Sequence, residues 1–156
     1  MDTVILAAGE GTRMRPLTAD RPKPMLPVAD RPLLEHVIEA ARSAGADRIV
    51  LVVGYEADVI REHFGDNWDG LPIEYVEQDS QEGTADALRA ARPALDGEPF
   101  AVLNGDGVYD PPSLQQVFEA GPAVGAIEVE DPSQYGVLEL ADDGSRVTGV
   151  IEKPAD

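Results

Sequence analysis

Hydrophobic residues occur in two kinds of pattern that alternate along the chain. Short continuous apolar runs, typical of parallel strands covered on both faces, predict strands at 3–6, 48–53, 73–76 and 100–104. Between these runs, apolar residues recur at helical spacing, as at positions 34, 37, 38 and 41, and predict helices at 33–41, 56–64, 84–94 and 112–120. After residue 120, strands joined by turns are predicted at 123–130, 135–140 and 146–152.

This order, β-α-β-α-β-α-β-α followed by β-β-β, predicts the fold class. Alternating strands and helices imply right-handed crossovers and a mostly parallel mixed sheet. We therefore expect a three-layer α/β/α, Rossmann-like fold. Residues 16–32 hold five prolines among seventeen residues, which predicts an ordered but non-helical segment after the first strand.

Length and composition limit the kinds of protein that this can be. The 156 residues suit one domain, 1–156, and no apolar run approaches the roughly 20 residues that a membrane span needs. The sequence has no cysteine, which excludes disulfides and thiolate metal sites. We expect a soluble, cytoplasmic protein without a membrane partner, and a homo-oligomer stays open.

The charge balance is strongly acidic, with 30 acidic residues against 12 basic ones and a net charge of −18. The acids are spread through well-patterned segments, which favours a hydrated surface adapted to high intracellular salt, a halophilic trait, over a disordered acidic tail. Nucleic acid is disfavoured as a partner because a polyanion needs a basic stripe.

Positive charge is concentrated near the N-terminus. Residues 11–31 carry five basic and two acidic side chains, a local balance of +3. The chain has only two lysines, Lys23 and Lys153, and a proline follows each of them. Lysine is a compact point charge on a flexible stem, which suits a phosphate whose charge changes during a reaction.

A glycine-rich stretch, 6–15, follows the first strand. Gly9 and Gly11 allow a tight turn whose N–H groups can converge on a phosphate, and Arg13 adds fixed positive charge. The stretch is neither a dinucleotide fingerprint, because Met14 stands where the third glycine would be, nor a P-loop, because no Gly-Lys-Ser/Thr follows. A tight strand-to-helix turn with solvated arginines would show the same pattern.

Further polar residues follow the other predicted strands. In open α/β sheets, ligands bind outside the carboxyl ends of the strands, so these residues are expected on one rim. Gln78 can recognise a nucleobase with its amide, and Gly83 lets a base or ribose approach the backbone. Asp106, after a buried strand, is a candidate Mg²⁺ ligand.

Taken together, these motifs resemble the signature of the sugar-1-phosphate nucleotidylyltransferases. The matching segments are 6–18, 21–28, Gln78 with 83–85, 104–106, 135–137 and 152–154. The resemblance implies that a nucleoside triphosphate condenses with a sugar 1-phosphate to give a nucleotide sugar and pyrophosphate, with Mg²⁺ as cofactor. It favours UTP or dTTP and glucose or N-acetylglucosamine 1-phosphate.

The resemblance also assigns roles to residues. Arg13, Lys23 and Asp106 would be catalytic, and Asp106 would bind the metal ion. The sugar phosphate would contact Gly136, Glu152 and Lys153. The nucleotide would contact Leu6, Ala8, Gly9, Gly11, Thr12, Arg13, Gln78, Gly83 and Thr84.

One departure and two alternatives accompany this interpretation. Members of the family run well beyond 156 residues, and their second metal-binding aspartate lies downstream of the Glu-Lys-Pro motif, so we expect the C-terminal part of the domain to be lacking. A non-catalytic or regulatory module that binds nucleotides or sugar phosphates is the first alternative. A dinucleotide oxidoreductase is the second, and Met14 and the Pro-Lys-Pro segment disfavour it.

Overall fold

The computed structural model of the chain describes residues 1–9, 11–19, 21–78 and 82–154, without the side chain of Arg13. Contacts divide it into two compact units, Met1–Val124 and a unit that begins at Gly125. Helices α1 to α4 are Leu33–Ser43, Ala57–Phe64, Thr84–Ala91 and Pro111–Glu119. Strands β1 to β9 are Asp2–Leu6, Pro27–Val28, Arg31–Pro32, Arg48–Val53, Asn67–Trp68, Leu71–Glu77, Phe100–Asn104, Gly136–Leu140 and Val147–Glu152.

The main sheet of the first unit has the strand order β5-β6-β4-β1-β7 among the described residues. β1 pairs in parallel with both β4 and β7, and β6 pairs in parallel with β4, while the short β5 is antiparallel. The register places Leu6 opposite Val52 on one side and opposite Asn104 on the other. From β1 the chain thus adds β4 and β6 on one side of β1, and it then adds β7 on the other side. The predicted Rossmann-like α/β class is confirmed.

Strand β4 shows why helices cover both faces of this sheet. All of its residues from Ile49 to Val53 are fully buried. Successive side chains of a strand point to opposite faces. Ile49, Leu51 and Val53 accordingly join the core cluster that contains apolar residues of α1, α2 and α4, whereas Val50 and Val52 join the cluster beneath α3. The continuous apolar run therefore produces three layers.

The helix boundaries lie within two residues of the predictions apart from one end. α3 stops at Ala91, and the predicted last turn is instead a 3-10 turn, Arg92–Ala94. Pro93 explains the difference, because proline lacks the N–H that would continue the α-helical bonding.

The predicted strand at 123–130 was wrong. This segment has no regular structure, and Val124 and Ile127 are 62% and 81% exposed. A strand needs a hydrogen-bonding neighbour as well as an apolar pattern, and none of the described strands pairs with this segment. The strands that follow it, β8 and β9, do form the predicted antiparallel pair.

Two short pairings were not predicted from the sequence. β2 and β3 form a two-residue antiparallel hairpin within the proline-rich segment, and β5 adds two residues beside β6. Strands of this length leave too few residues for a periodic pattern to be recognised. Across the described residues, no helix is both long and apolar enough to cross a membrane.

Candidate active site

A cleft of about 280 Å³ lies where the carboxyl ends of β1, β6 and β7 meet the start of α3. It includes the point at which the chain changes direction along the sheet, the usual ligand site of open α/β sheets. Its lining residues are Leu6, Ala7, Ala8, Gly9, Lys23, Pro24, Gln78, Gly83, Thr84, Ala87, Asn104 and Asp106.

Gly11 makes room for the lysine that lines this cleft. Its backbone is left-handed, with φ +64°, and a Cβ added there would lie 2.8 Å from the Cβ of Lys23. The hydroxyl of Thr18, which is 2% exposed, donates a hydrogen bond of 2.9 Å to the carbonyl of Gly11. Thr18 therefore holds the turn, and the absent side chain at position 11 leaves the space that Lys23 occupies.

Lys23 is also held from its C-terminal side. It begins the 3-10 turn Lys23–Met25, in which Pro24 and Met25 are buried, and Met25 belongs to the main core cluster. The Lys23 side chain itself is 34% exposed, and its ammonium donates a hydrogen bond to Oδ2 of Asp106. A buried anchor thus carries a charged group that faces solvent within the cleft.

A tight turn after β7 places Asp106 opposite Lys23. The N–H of Gly105 donates to the carbonyl of Leu6 at 2.8 Å, and the N–H of Gly107 donates to that of Asn104 at 3.1 Å. A Cβ at Gly105 would lie only 2.8 Å from the same Leu6 oxygen. Glycine at this position therefore lets the turn approach the end of β1.

The Tyr109 side chain forms a hydrogen bond with the start of this turn. Its hydroxyl accepts a hydrogen bond of 2.8 Å from the N–H of Asn104, the last residue of β7. Burial of the ring raises the pKa of Tyr109, and the charge of Asp106 raises it further. The phenol therefore stays neutral and acts as a hydrogen-bonding support at neutral pH.

Gln78 lies at the opposite end of the cleft, directly after β6. Its N–H donates to the carbonyl of Val53 at 2.9 Å, and the residue is 9% exposed. Its amide nitrogen donates to Oδ2 of Asp86 in α3 at 2.8 Å. Thr84 and Ala87 come from the same helix and are three residues apart, so they share one face.

Local positive charge is smaller than the sequence count suggested. Arg31 is counted in the +3 balance, but its guanidinium pairs with Glu39 at 2.8 Å and lies 3.4 Å from Glu35, both on α1. The hydrogen bond that Arg31 donates to Glu39 is the main cause that raises the pKa of Arg31. Its charge is therefore matched on the helix surface rather than in the cleft.

Most of the predicted nucleotide-binding residues come together in this cleft. Those that line it are Leu6, Ala8, Gly9, Gln78, Gly83 and Thr84, and the predicted catalytic residues Lys23 and Asp106 line it as well. Gly11 and Thr12 do not line it, and Gly11 contacts Lys23 instead. The predicted role of Arg13 concerns a side chain outside the described part of the structure.

Four further residues line the cleft but were not predicted as site residues from the sequence, namely Ala7, Pro24, Ala87 and Asn104. Thr18 and Asp86, which hold the two ends of the site, were not predicted either. For Asp86, the available signal was its position in the first turn of a predicted helix, three residues after Gly83. Nothing in a linear pattern distinguishes a small lining residue from an ordinary core residue.

The three predicted sugar-phosphate residues belong to the second unit and lie at one end of its hairpin. Gly136 in β8 is directly opposite Glu152 in β9. The N–H of Lys153 donates to the carbonyl of Tyr135 at 3.0 Å, which continues the pairing by one residue. The hairpin therefore brings an acid, a lysine and a glycine together.

A second cleft, of about 390 Å³, lies elsewhere in the first unit. Val28, His36, Glu39, Val108 and Tyr109 are among its lining residues, and none of the predicted site residues lines it. The smaller cleft is the better candidate because the charged and amide groups converge there.

The donor set near Asp106 suits a metal ion that takes few protein ligands. The described residues contain no cluster of three or more His, Cys, Asp or Glu side chains able to hold a metal ion. Mg²⁺ commonly takes one or two carboxylates and completes its shell with phosphate oxygens and water. The Asp106 carboxylate already accepts a cationic partner in the cleft, the Lys23 ammonium, so its position fits a cation.

A glycine-rich turn at the switch point of a parallel sheet, with an amide and a lysine nearby, is an arrangement typical of nucleotide-binding α/β proteins. The family model described as "Nucleotidyl transferase" matches residues 2–156. The chain therefore belongs to the nucleotidyl transferase family, and members of this family generally use a divalent metal ion.

Named relatives agree with this assignment. The chain is 41% identical over 154 residues to the bifunctional protein GlmU of Methanococcus maripaludis, covering 99% of this chain and 36% of that protein. It is 38% identical to the UTP–glucose-1-phosphate uridylyltransferase AglF of Haloferax volcanii, covering 100% of this chain and 66% of that protein.

Among solved structures, a UDP-glucose pyrophosphorylase complexed with UDP-glucose matches with a TM-score of 0.82 and 25% identity. The match covers 98% of this chain and 69% of the other. This chain spans about a third of the length of the GlmU relatives and about two thirds of the length of AglF.

Proposed function

We propose that this chain carries the nucleotide-binding half of a sugar-1-phosphate nucleotidylyltransferase. It would transfer a nucleotidyl group from a nucleoside triphosphate, UTP or dTTP, to glucose or N-acetylglucosamine 1-phosphate, giving a nucleotide sugar and pyrophosphate. The domain would span residues 1–156. The observation that carries the proposal is the meeting of Lys23, Gln78 and Asp106 in one cleft.

These three residues reach the cleft from distant parts of the chain and bring different chemistry. Gln78 supplies an amide at one end, and Lys23 and Asp106 supply a cation and a carboxylate at the other. Gly9 also lines the cleft, and a glycine-rich turn of this kind can bind an anion through its N–H groups. This order supports a nucleotide bound with its base toward Gln78 and its phosphates toward Lys23.

The proposed reaction is an in-line displacement at the α-phosphorus. A phosphate oxygen of the sugar 1-phosphate forms a bond to that phosphorus, the bond to the bridging oxygen of the β-phosphate breaks, and pyrophosphate leaves with the electron pair. The attacking oxygen is already anionic, so no general base is required. Catalysis then rests on positioning and on neutralising charge.

Lys23 is placed for this second task. Its ammonium lies in the cleft, on a stem held by Gly11 and by the buried Pro24. A mobile point charge can follow the phosphates as charge moves to the leaving group. In this proposal Asp106 would hold Mg²⁺, which would reduce the repulsion between the anionic reactants when bound. The contact between the triphosphate and Arg13 that the sequence predicts is part of this proposal.

The hairpin of the second unit is the proposed contact for the sugar phosphate. Glu152 can accept hydrogen bonds from sugar hydroxyls, and Lys153 can pair with a phosphate. Gly136 lies opposite Glu152 and has no side chain, so the space beside that carboxylate can take a sugar ring. A Cβ added at Gly136 would contact side-chain atoms of Glu152 and Val150 at 3.4 Å.

The net charge of −18 supports a halophilic protein that acts in a salt-rich cytoplasm. The test is pyrophosphate release by the purified chain with Mg²⁺, UTP or dTTP, and either sugar 1-phosphate, in high salt. Release that depends on both substrates supports the proposal. Binding of Mg-UTP without any release, measured by calorimetry, would favour a non-catalytic binding module instead.

A further inference from the structure

The orientation of the Gln78 amide is determined by its partners in α3. Its nitrogen Nε2 lies 2.8 Å from Oδ2 of Asp86 and 3.5 Å from the carbonyl oxygen of Gly83. An ionised carboxylate and a carbonyl can only accept hydrogen bonds. The end of the amide that faces α3 must therefore be the NH₂ group, because the alternative would bring three oxygens together.

This arrangement leaves the amide oxygen, Oε1, as the end that a ligand can meet. Gln78 lines the cleft and is 9% exposed, so part of its side chain contacts that space. Among the residues that the structure describes, none donates a hydrogen bond to Oε1. A base bound beside Gln78 consequently faces an acceptor with a fixed direction.

An acceptor at this place distinguishes the nucleobases by one atom. Uracil, thymine and guanine carry a ring N–H on the edge that pairs with other bases, and cytosine and adenine carry a ring nitrogen with a lone pair there. A lone pair opposite Oε1 leaves two acceptors facing each other, each without a donor. A polar group left unsatisfied in this way should reduce affinity roughly 10- to 100-fold.

We propose that Asp86 is a positioning residue that fixes the Gln78 amide with its oxygen toward the base, so that the site selects nucleotides whose base has a ring N–H. The site then takes uridine, thymidine or guanosine triphosphate and rejects cytidine and adenosine triphosphate. This inference rests on the proposed function, because it requires that the base lies beside Gln78.

The side chain of Asp86 is well placed for this role. It is 24% exposed and lies on the first turn of α3, and its other neighbour is the exposed Arg89, 4.0 Å away. Without the carboxylate, the amide of Gln78 can turn by 180° and offer its NH₂ group to the base. Loss of Asp86 should therefore weaken UTP binding and strengthen CTP binding at the same time.

The experiment is a calorimetric titration of the complete chain with UTP and with CTP, in Mg²⁺ and high salt. The wild type is expected to bind UTP about 10- to 100-fold more tightly than CTP. Asp86→Ala should reduce this ratio to within about threefold, whereas Asp86→Asn, which keeps an acceptor oxygen for Nε2, should preserve most of it. A general loss of structure would weaken both ligands and leave the ratio unchanged.

Asp58→Ala is the matched control. Asp58 occupies the first turn of α2, a helix of the same length as α3, and lies 3.8 Å from an arginine three residues on. Its removal should leave the UTP to CTP ratio unchanged. If Asp86→Ala does not fold, Asp86→Ser has the same expected ratio, because serine is tolerated near helix starts and is too short to replace the carboxylate.

A wild-type ratio retained in Asp86→Ala or Asp86→Ser while UTP is bound as tightly as by the wild type, or tighter binding of CTP or ATP than of UTP by the wild type, would overturn this inference alone. If the wild-type chain binds no nucleoside triphosphate at all, the proposed function fails, and the inference fails with it. The two failures are therefore distinguishable.

Discussion

The ammonium of Lys23 donates a hydrogen bond to Oδ2 of Asp106, a residue 83 positions later in the chain. The contact joins the 3-10 turn Lys23–Met25 to the turn after β7, the strand that pairs with β1. Both side chains are about one-third exposed, so solvent screens the pair and it contributes little to stability. Its importance is that it places a cation and a carboxylate at one point of the cleft.

Removal of the Lys23 charge should reduce turnover strongly without unfolding the protein. Lys23→Met keeps the stem and removes the ammonium, and loss of one such electrostatic contact commonly costs about 10²–10³ in kcat. Pyrophosphate release measures the effect. Arg42→Met, which breaks an exposed pair with Asp69, is the control and should keep full turnover. Equal effects of the two changes would refute the assigned role of Lys23.

Asp106 should be required for metal-dependent activity. In Asp106→Asn the carboxylate charge is lost, so we expect weaker Mn²⁺ binding in the presence of UTP, measured by calorimetry, and a fall in pyrophosphate release. A chelator should stop release by the wild type, and added Mg²⁺ should restore it. Asp58→Asn, an exposed acid far along the chain, should change neither quantity. Unchanged Mn²⁺ binding in Asp106→Asn would exclude it as the ligand.

Gly11→Ala should disturb the site beyond its effect on the backbone. An L-residue at φ +64° costs about 1–2 kcal/mol, and the new Cβ would also press on the Cβ of Lys23 at 2.8 Å. Gly144→Ala is the control for a positive φ without a clash, because φ is +68° there and nothing lies within 4 Å of the added Cβ. Both variants should lose thermal stability, while only Gly11→Ala should weaken UTP binding. Equal UTP affinity in the two variants would show that the clash has no consequence.

Asp110 should stabilise α4 in a pH-dependent way. Its carboxylate caps the helix by accepting hydrogen bonds from the N–H of Ser113 at 3.0 Å and from its hydroxyl at 2.7 Å. These bonds lower the pKa of Asp110 in the folded state. The stabilisation is therefore present above the ordinary aspartate pKa of about 3.9 and is lost as the pH falls through the lower folded value.

The thermal midpoint of Asp110→Ala should accordingly be a few degrees below that of the wild type at pH 7, and the gap should shrink in acid. Asp110→Asn retains the capping oxygen and removes the charge, so its midpoint should stay close to the wild-type value at pH 7. A gap between wild type and Asp110→Ala that is independent of pH would contradict the role of the ionised carboxylate.

Salt should stabilise the fold. Self-repulsion within a chain of net charge −18 is screened over about 10 Å at 0.1 M salt and about 3 Å at 1 M. The thermal midpoint in sodium chloride should rise across this range. A constant midpoint would indicate that the acidic residues are spaced too widely to repel one another, and it would remove the support for a halophilic protein.

The arrangement of a sheet between two layers of helices was predictable, because it follows from the periodicity of apolar residues along the chain. Val50 and Leu51 are adjacent and both apolar, which already requires a strand covered on two faces. The carboxyl-end rule then predicted that Gln78 and Asp106 would share a rim, and both line the cleft. The same reasoning failed at 123–130, since an apolar pattern does not reveal whether a neighbouring strand is present to pair with it.

By itself, the sequence determined the longer strands, the helices, the glycine turn at Gly11 and the residue types available for chemistry, because these follow from local spacing and backbone preference. Only the tertiary structure decided which of these groups meet. It paired Lys23 with Asp106, matched Arg31 with Glu39 on the surface, and directed the amide of Gln78 toward Asp86. Such contacts depend on distances between segments that are far apart in the chain, and no pattern along the chain contains those distances.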